Sequence, residues 1–303
     1  MKVLVIGGSG LIGGDAALHL KAQGHDVTIM SRKRPGAPVL AELPFVAGDY
    51  INDDLGDGRL AGYDALVFSA AADIRNVPMD GSKTPEEVYR QANDIAVPRA
   101  IEAARDAGIG SVVYIGTFYP QVAAHRIGEC PYVTSRYNTD RAVRALSSDS
   151  FRVCTLDLPF VLGHIPGTEV PHIAALVNYA AGNIPDMPVF APKGGTNHIT
   201  SHSVAQAVLG ALENGESGQA YLIGDENLSW KDYLERWFAA AGNPTELEVR
   251  DDIDHPLLPN AIMFAGAGAT VSYDTDPAVR ERLGNFDQGR IDGMIAEIVA
   301  AYR

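Results

Sequence analysis

Short apolar runs alternate with segments of helical periodicity along the first half of the chain. The apolar runs predict buried β-strands at Val3–Ile6, Val27–Met30, Ala65–Ser69, Ser111–Ile115 and Val153–Leu156. Helices are predicted at Ala16–Gln23, Pro85–Ala107 and Tyr132–Leu146. Strands that are apolar throughout and separated by helices are typical of a parallel sheet covered on both faces. The pattern therefore predicts an α/β fold with a doubly wound parallel sheet, whose ligands bind at the carboxyl ends of the strands.

Glycines crowd the junction between the first strand and the first helix, in MKVLVIGGSGLIGG. Two registers fit a phosphate-binding turn, Gly8-x-Gly10-x-x-Gly13 and Gly7-x-x-Gly10-x-x-Gly13. Either register lays backbone N–H groups and a helix N-terminus against a dinucleotide pyrophosphate, where a Cβ would block the approach. An ordinary strand–helix turn is the alternative, but the motif follows a strand at once and opens a helix. We therefore predict a Rossmann-type domain whose first turn contacts the cofactor through Gly7, Ser9, Gly10, Leu11, Ile12 and Gly13.

The pattern changes after residue 160, where the chain becomes irregular and rich in proline. This change predicts a dinucleotide-binding domain over 1–160 and a smaller C-terminal substrate-binding lobe over 161–303. The run 196–224 reads as strand, helix and strand, so we expect it to return to the main sheet.

Composition and charge narrow the class of protein. The chain has 303 residues, an apolar fraction of 46% and a formal charge of −14. Those values fit a globular protein and argue against a nucleic-acid or anionic-membrane partner. Cys130 and Cys154 show no paired spacing, which favours a reducing compartment and argues against a thiolate metal site. No signal or membrane-spanning pattern is evident, so we expect a cytoplasmic protein that binds no metal.

The end of the second strand bears on the choice of cofactor. An acidic residue there would bind the adenosine ribose and repel a 2′-phosphate, but the strand runs into Ser31, Arg32, Lys33 and Arg34. Guanidinium groups bind phosphate in a fork, so Ser31 and Arg32 favour NADP over NAD, with a merely solubilising basic turn as the alternative. Asp49 and Tyr50 follow the third apolar run, where the Asp either contacts adenine or forms a simple turn.

Several further motifs together resemble one family, and they cover nearly the whole chain. They are Ser69-Ala70-Ala71-Ala72, Asn93 with Ala103-Ala104, Thr117, Pro131-Tyr132-Val133-Thr134-Ser135-Arg136, Leu158-Pro159-Phe160-Val161-Leu162-Gly163 and Arg282-Leu283-Gly284. With the glycine turn, they resemble the extended short-chain dehydrogenase/reductases, including the epimerase/dehydratase and dihydroflavonol-reductase-like branches.

The resemblance implies a catalytic set. Tyr132 would exchange a proton with the substrate oxygen, Thr117 would hold that oxygen, and Asn93 would kink its helix and hold a water. The family's lysine, one helical turn after the tyrosine, is Arg136 here, which keeps a cation on the same helix face but cannot deprotonate. The second departure is a short loop, 118–131, between the threonine and the tyrosine.

The resemblance also implies the rest of the site. Further cofactor contacts are expected from Ser69, Ala70, Ala71, Tyr132, Arg136, Pro159 and Val161, and substrate contacts from Phe118, Tyr119, Phe160 and His164. The candidate lining is mostly uncharged and also includes Val161, His172, Val177, Phe190, Met263 and Phe264. Such a lining favours a small apolar or aromatic carbonyl compound.

The resulting hypothesis is an NADP-dependent oxidoreductase that interconverts a ketone or aldehyde with an alcohol. The alternatives are an epimerase or dehydratase with a tightly bound nicotinamide cofactor, and a catalytically weakened dinucleotide-binding sensor or regulator. Similar enzymes pair two helices across a two-fold axis, so we expect a homodimer formed through Ile95, Ala96, Ala100 and Ala103.

Overall fold

The computed structural model describes residues 1–168 and 170–303, which form twelve strands and eleven α-helices among them. The strands are β1 Lys2–Ile6, β2 Asp26–Ser31, β3 Phe45–Ala47, β4 Ala65–Phe68, β5 Ser111–Thr117, β6 Arg152–Leu158, β7 Phe160–Leu162, β8 Ala191–Pro192, β9 Gly195–Thr200, β10 Ala220–Leu222, β11 Glu226–Ser229 and β12 Val249–Arg250. The helices are α1 Leu11–Ala22, α2 Pro38–Ala41, α3 Pro85–Tyr89, α4 Ala96–Asp106, α5 Tyr119–Val122, α6 Pro131–Arg144, α7 Pro171–Ala180, α8 Ser201–Asn214, α9 Trp230–Ala240, α10 Pro277–Arg282 and α11 Ile291–Tyr302.

Seven strands form one sheet in the order β10-β6-β5-β4-β1-β2-β3, and every neighbouring pair in it is parallel. Successive side chains of a strand point to opposite faces, so β1 directs Val3 and Val5 into a core with α1 and α8. Leu4 and Ile6 point into a second core with α4. Both faces are covered and the strands are mostly apolar, so the predicted doubly wound sheet is confirmed.

The remaining strands build a smaller lobe together with three of the helices. Its sheets have the orders β11-β9-β7 and β12-β8, and α7, α9 and α11 pack on them around a core that contains Trp237, Phe238 and Tyr179. The predicted return of 196–224 to the main sheet holds only from Ser201 onwards. There α8 packs on the sheet and β10 extends it, whereas β9 pairs with β7 and β11 in the lobe.

The helix that leads into α4 is not regular. A π-helical turn, Arg90–Ile95, joins α3 to α4 and contains Asn93. Ala96 and Ala100 are fully buried within the chain, so the expectation that they form a dimer surface is wrong. Ile95 is 41% exposed, and the homodimer itself stays a prediction. No helix among the described residues is long and apolar enough to cross a membrane.

Candidate active site

The glycine turn after β1 is shaped by close contacts on one side and by open space on the other. Gly7 has φ +86°, and a Cβ there would lie 2.8 Å from the backbone nitrogen of Ala70. A Cβ at Gly13 would lie 2.2 Å from the Oγ of Ser69. Gly8 is equally confined, because its Cβ would lie 2.6 Å from Cγ2 of Ile29. Gly7, Gly8 and Gly13 therefore each have a packing reason.

Gly10 differs from its neighbours. It is the N-cap of α1, and a Cβ there would meet only the carbonyl oxygen of Gly7, at 3.5 Å. No contact among the described residues therefore demands glycine at this position, whereas a pyrophosphate approaching the helix N-terminus does. The N–H groups of Leu11, Ile12 and Gly13 open the helix and have no intrahelical acceptor. The turn thus fits the phosphates of a dinucleotide.

Three basic residues follow β2, and they lie in different settings. The Oγ of Ser31 donates to the carbonyl of Lys33 at 2.7 Å. Arg34 donates to the carbonyl of Ala41 at 3.0 Å, and its guanidinium lies 4.9 Å from the ring centre of Phe45. Arg32 is exposed and makes no hydrogen bond or ion pair with the residues that the structure describes. Arg32 is therefore the guanidinium available to a ligand at this strand end.

Asp49 organises its own turn. Its carboxylate accepts hydrogen bonds from the Ile51 N–H at 3.0 Å and from Nδ2 of Asn52 at 2.8 Å. The simple-turn interpretation accounts for both oxygens, and the adenine contact stays a prediction. The Tyr50 ring meets Phe68 edge-on at 5.3 Å, and burial raises the pKa of Tyr50 to about 12.

Tyr132 lies in the first turn of α6, where Pro131 at the start of the helix supplies a preset φ. Its ring is surrounded by aromatic rings. Phe264 stacks on it with the centroids 4.1 Å apart, while Tyr89 and Tyr119 meet it edge-on at 5.7 Å and 6.3 Å. Burial raises the pKa of Tyr132, and the Arg136 cation and the Thr117 hydroxyl act in the opposite direction.

Thr117 and Arg136 reach the tyrosine from two elements. Thr117 ends β5 and is 7% exposed, and Arg136 follows Tyr132 by four residues on α6. The Nη2 of Arg136 donates to the carbonyl of Ile115 at 2.7 Å, and its guanidinium lies 5.3 Å from the ring centre of Tyr114. Its Nε and Nη1 are buried without a partner among the described residues. These orphaned donors fit a ligand that brings hydroxyl or phosphate acceptors.

Asn93 is fully buried in the π-helical turn, and both polar atoms of its side-chain amide bond to the backbone of Ala72. Its Oδ1 accepts from the Ala72 N–H at 2.8 Å, and its Nδ2 donates to the Ala72 carbonyl at 3.0 Å. This pairing fixes the chain after β4 to the helix. For the water-holding role expected of Asn93, the second N–H of Nδ2, the remaining lone pair of Oδ1 and the backbone carbonyl are left, and the role stays a prediction.

The four expected substrate residues lie in two places. Phe118 and Tyr119 adjoin the tyrosine, with ring centroids 4.3 Å apart and Tyr119 next to Tyr132. The ring of Phe160 packs instead on lobe residues, including His198 at 5.3 Å. His164 meets Tyr302 with the ring centroids 5.7 Å apart.

The other expected cofactor contacts also lie in different places. Ser69 and Ala70 lie under the glycine turn, Ala71 is exposed, Pro159 is buried and Val161 packs on the main core.

Sequence reasoning missed a buried carboxyl near the site. Asp157 on β6 is 4% exposed, and burial raises its pKa to about 7. The sequence signal that could have indicated it was a single charge inside the apolar run VCTLDL.

Asp73 and Arg75 were also missed. They form an ion pair after β4, and both charges act on the pKa of Tyr132.

The histidines of the second half lie in separate environments. His198 stacks on Tyr233 at 4.7 Å, and burial lowers its pKa to about 3. His202 faces His19 on α1 at 5.7 Å. His172 is exposed at the start of α7. Among the described residues, no three His, Cys, Asp or Glu side chains are grouped as metal ligands.

The chain is similar to known proteins in sequence and in fold. The chain is 28% identical to the 2-alkyl-3-oxoalkanoate reductase of Stenotrophomonas maltophilia, over 80% of this chain and 77% of the relative. The Bordetella bronchiseptica enzyme WbmH in complex with NAD+ superposes with a TM-score of 0.75 at 19% identity, covering 100% of this chain and 98% of that one. UDP-N-acetylglucosamine 4-epimerase from Bacillus cereus gives 0.75 at 17% identity, covering 99% and 96%.

The two solved structures share the fold at identities too low to carry more than the fold. The model of the NAD dependent epimerase/dehydratase family matches residues 3–224, from β1 to the end of β10. This match covers the glycine turn, the tyrosine helix and the strand that carries Asp157. The chain therefore belongs to the NAD dependent epimerase/dehydratase family.

Proposed function

We propose that this protein is an NADP-dependent oxidoreductase that interconverts a ketone or aldehyde with an alcohol on a small, mostly apolar or aromatic substrate. The observation that carries the proposal is the setting of Tyr132. Its phenol lies near the Thr117 hydroxyl and the Arg136 cation, under a cover of aromatic rings. A proton donor, a hydrogen-bond donor and a cation beside apolar side chains are what carbonyl reduction requires.

The chain's own residues supply the proton and the charge stabilisation. Negative charge develops on the carbonyl oxygen as the carbon is reduced, and the Thr117 hydroxyl donates a hydrogen bond to that oxygen. The phenol of Tyr132 gives its proton to the same oxygen. The Arg136 cation stabilises the phenolate that remains, because it lowers the pKa of the phenol against the effect of burial. A bound nicotinamide dinucleotide supplies the hydride.

The preference for NADP rests on the end of β2. Arg32 is exposed, uses none of its donors on the described protein groups and lies beside the Ser31 hydroxyl. A guanidinium can bind a 2′-phosphate through two parallel hydrogen bonds. Among the described residues, β2 ends in Ser31 and not in a carboxylate that would repel the phosphate.

The substrate class rests on the rings around Tyr132. Phe118, Tyr119 and Phe264 present apolar surface next to the phenol. An aliphatic or aromatic ketone buries its carbon skeleton there, whereas a sugar nucleotide would need cations for its diphosphate. The related 2-alkyl-3-oxoalkanoate reductase supports a ketone with alkyl branches as a test substrate.

The experiment is a turnover assay with purified protein. NADPH consumption is followed by absorbance with 3-oxoalkanoates, aromatic ketones, aldehydes and UDP-sugars, and the same panel is repeated with NADH. We expect net NADPH loss with at least one ketone or aldehyde and a slower reaction with NADH. Sugar isomerisation without net cofactor loss would establish the epimerase instead. Tight NADPH binding with no turnover on any class would establish the sensor.

A further inference from the structure

A layer of polar and charged groups is buried between α6 and the sheet. Arg136, Asp140 and Arg144 follow one another at intervals of four on α6, so they share one face of the helix. Tyr114, Thr155 and Asp157 stand on β5 and β6 beneath that face. The Oη of Tyr114 and the Oγ1 of Thr155 have no partner among the described residues. Burying such a layer costs stability where its groups are not hydrogen-bonded or paired.

Asp157 is the least accessible carboxyl in this layer, at 4% exposure. Its Oδ2 accepts from the Nε2 of Gln121 at 2.5 Å. Its Oδ1 lies over Gly116, its neighbour across the strands, where a Cβ would come within 2.1 Å of that oxygen. Gly116 therefore makes the room for a carboxylate that forms no ion pair with the described residues.

Arg136 is the matching cation. It is 4% exposed and has one hydrogen bond, to the carbonyl of Ile115, the residue before Gly116. Asp157 lies over Gly116, so the guanidinium is held at the neighbouring residue of the same strand. The influence is mutual, because Arg136 lowers the pKa of Asp157 and Asp157 favours the charged form of Arg136. The same cation acts on the phenol of Tyr132.

We propose that Asp157 is a positioning residue: its carboxylate holds the Arg136 guanidinium against Ile115, in place beside Tyr132, and its protonation releases that hold. The inference deepens the proposed function, on which it rests. Arg136 stays charged at all relevant pH values, so a pH dependence of the hold has to come from another group. Asp157 is placed to be that group.

The surroundings of Asp157 set the pH at which it changes. Burial and the like charge of Asp140 raise its pKa to about 7, against the hydrogen bond from Gln121 and the cations Arg136 and Arg144. Two further titratable groups interact with Asp157: the phenol of Tyr114 on β5 and the phenol of Tyr273 on the segment after β12. Gln121 is exposed, so the group that hydrogen-bonds the carboxyl belongs to a residue at the protein surface.

The first test is the pH dependence of kcat with NADPH and an accepted carbonyl substrate, from pH 5.5 to 8.5. We expect kcat to rise about ten-fold through neutral pH in the natural protein, equivalent to about 1.4 kcal/mol. Asp157→Asn copies the protonated form, so it should stay at the low plateau throughout. Asp140→Asn removes the like charge and should move the rise to lower pH. An unchanged rise in Asp157→Asn would overturn the proposal.

A control separates this effect from general damage. Asp225 is a half-buried carboxyl far along the chain, and it accepts hydrogen bonds from the N–H groups of Gly289 and Arg290. Asp225→Asn should keep the rise at the natural midpoint even where it lowers thermal stability. A lost or displaced rise in Asp225→Asn would show that any buried carboxyl has this effect and would overturn the assignment to Asp157.

The second test needs no substrate and so stands apart from the proposed function. Tyrosine ring carbons are labelled with 13C, the Tyr132 signal is identified with Tyr132→Phe, and its titration is followed by NMR at high pH. Loss of the hold in Asp157→Asn should move the Tyr132 midpoint upward, because the cation no longer stabilises the phenolate. An unchanged or lowered midpoint would overturn the proposal. A raised midpoint in a protein with no turnover would uphold Asp157 and reject only the reductase.

Discussion

The ring of Phe264 lies almost parallel to that of Tyr132, with 4.1 Å between the centroids and 21° between the planes. Phe264 belongs to the smaller lobe and Tyr132 to the helix beside the main sheet. Arg126 secures this contact, since its Nε donates to the carbonyl of Phe264 at 3.2 Å. The lobe thus covers the phenol directly, and burial is the largest cause of the raised pKa of Tyr132.

Removing that cover should be visible in the pH profile. Phe264→Ala admits water to the phenol, so the pKa of Tyr132 should fall toward its ordinary value and the alkaline loss of reductase activity should move to lower pH. The stacking contact on Tyr132 contributes about 1 kcal/mol to the stability of the fold. Loss of the Phe264 ring also removes apolar surface that the substrate contacts, so KM should rise about ten-fold. Steady-state kinetics between pH 6 and 10 measure both changes.

Phe264→Leu is the matched variant. A leucine keeps most of the apolar cover but no aromatic face, so the alkaline limb should stay near its natural position while KM changes by a few-fold at most. If Phe264→Ala leaves the alkaline limb where it is, burial by Phe264 does not control the ionisation of Tyr132.

Much of the fold could be predicted from the sequence because the main strands are buried on both faces. A strand buried on both faces appears in the sequence as an uninterrupted apolar run, such as Val3–Ile6. The lobe strands have no such run. β8 and β12 have two residues each, and β7 follows β6 after a single proline. Their pairing depends on contacts between distant segments, which periodicity does not encode.

The candidate site divides in the same way. Tyr132, Thr117 and Arg136 follow from the family resemblance, and the structure brings them together. The stacking of Phe264 on Tyr132 joins residues far apart in the chain, so the sequence suggested Phe264 only as one apolar lobe residue among several. Asp157 was missed because a lone charge in a strand is indistinguishable by pattern from an edge position until its burial is known.

The glycine turn offers a pair of variants with opposite expected effects. Gly10→Ala adds a Cβ into open space at a φ of −89°, so the melting temperature should hardly change while the Kd for NADPH rises at least ten-fold. Gly13→Ala pushes a Cβ against Ser69 and should cost about 1–3 kcal/mol of stability. Thermal unfolding and cofactor titration on both variants measure this contrast. Natural affinity in Gly10→Ala would refute a pyrophosphate at this turn.

Arg32 and Arg34 form a second pair, for cofactor preference. Arg32→Ala removes a free guanidinium, so the ratio of NADPH to NADH affinity should fall about ten-fold or more, since a charge-assisted hydrogen bond contributes roughly 1.5–3 kcal/mol. Arg34→Ala removes a cation–π contact and a bond to Ala41, so it should lower stability and leave the ratio unchanged. Equal affinity of the natural protein for both cofactors would contradict the NADP assignment.

Tyr132 and Tyr137 lie on the same helix but in unlike settings. Tyr132→Phe removes the general acid and should lower kcat about 10²- to 10⁴-fold while NADPH binding stays nearly intact. Tyr137 is bound by Arg141 through its hydroxyl at 2.5 Å, so Tyr137→Phe should change kcat no more than a few-fold. Single-turnover kinetics with an accepted ketone compare the two. Full activity in Tyr132→Phe would move the assignment to Tyr119 or Tyr137.

Asp157 should make the stability of the protein depend on pH. Its pKa is about 7 when folded, against about 3.9 for an unfolded aspartate. Between those two values the folded protein holds a proton that the unfolded chain has lost, so the free energy of unfolding falls as the pH rises from about 4 to 7 and is level above that.

Asp157→Asn removes this dependence. The free energy of unfolding of the variant, relative to that of the natural protein, should therefore increase across the same window, by on the order of 2–4 kcal/mol at pH 8 relative to pH 4. Urea unfolding at pH 4.5, 6 and 8 measures the difference. Asp149 is exposed on the turn before β6, and Asp149→Asn should differ from the natural protein by no more than about 0.5 kcal/mol at any of these values. A difference between Asp157→Asn and the natural protein that stays constant with pH would mean that the Asp157 carboxyl is already ionised at pH 4.5, with Arg136 compensating its burial in full.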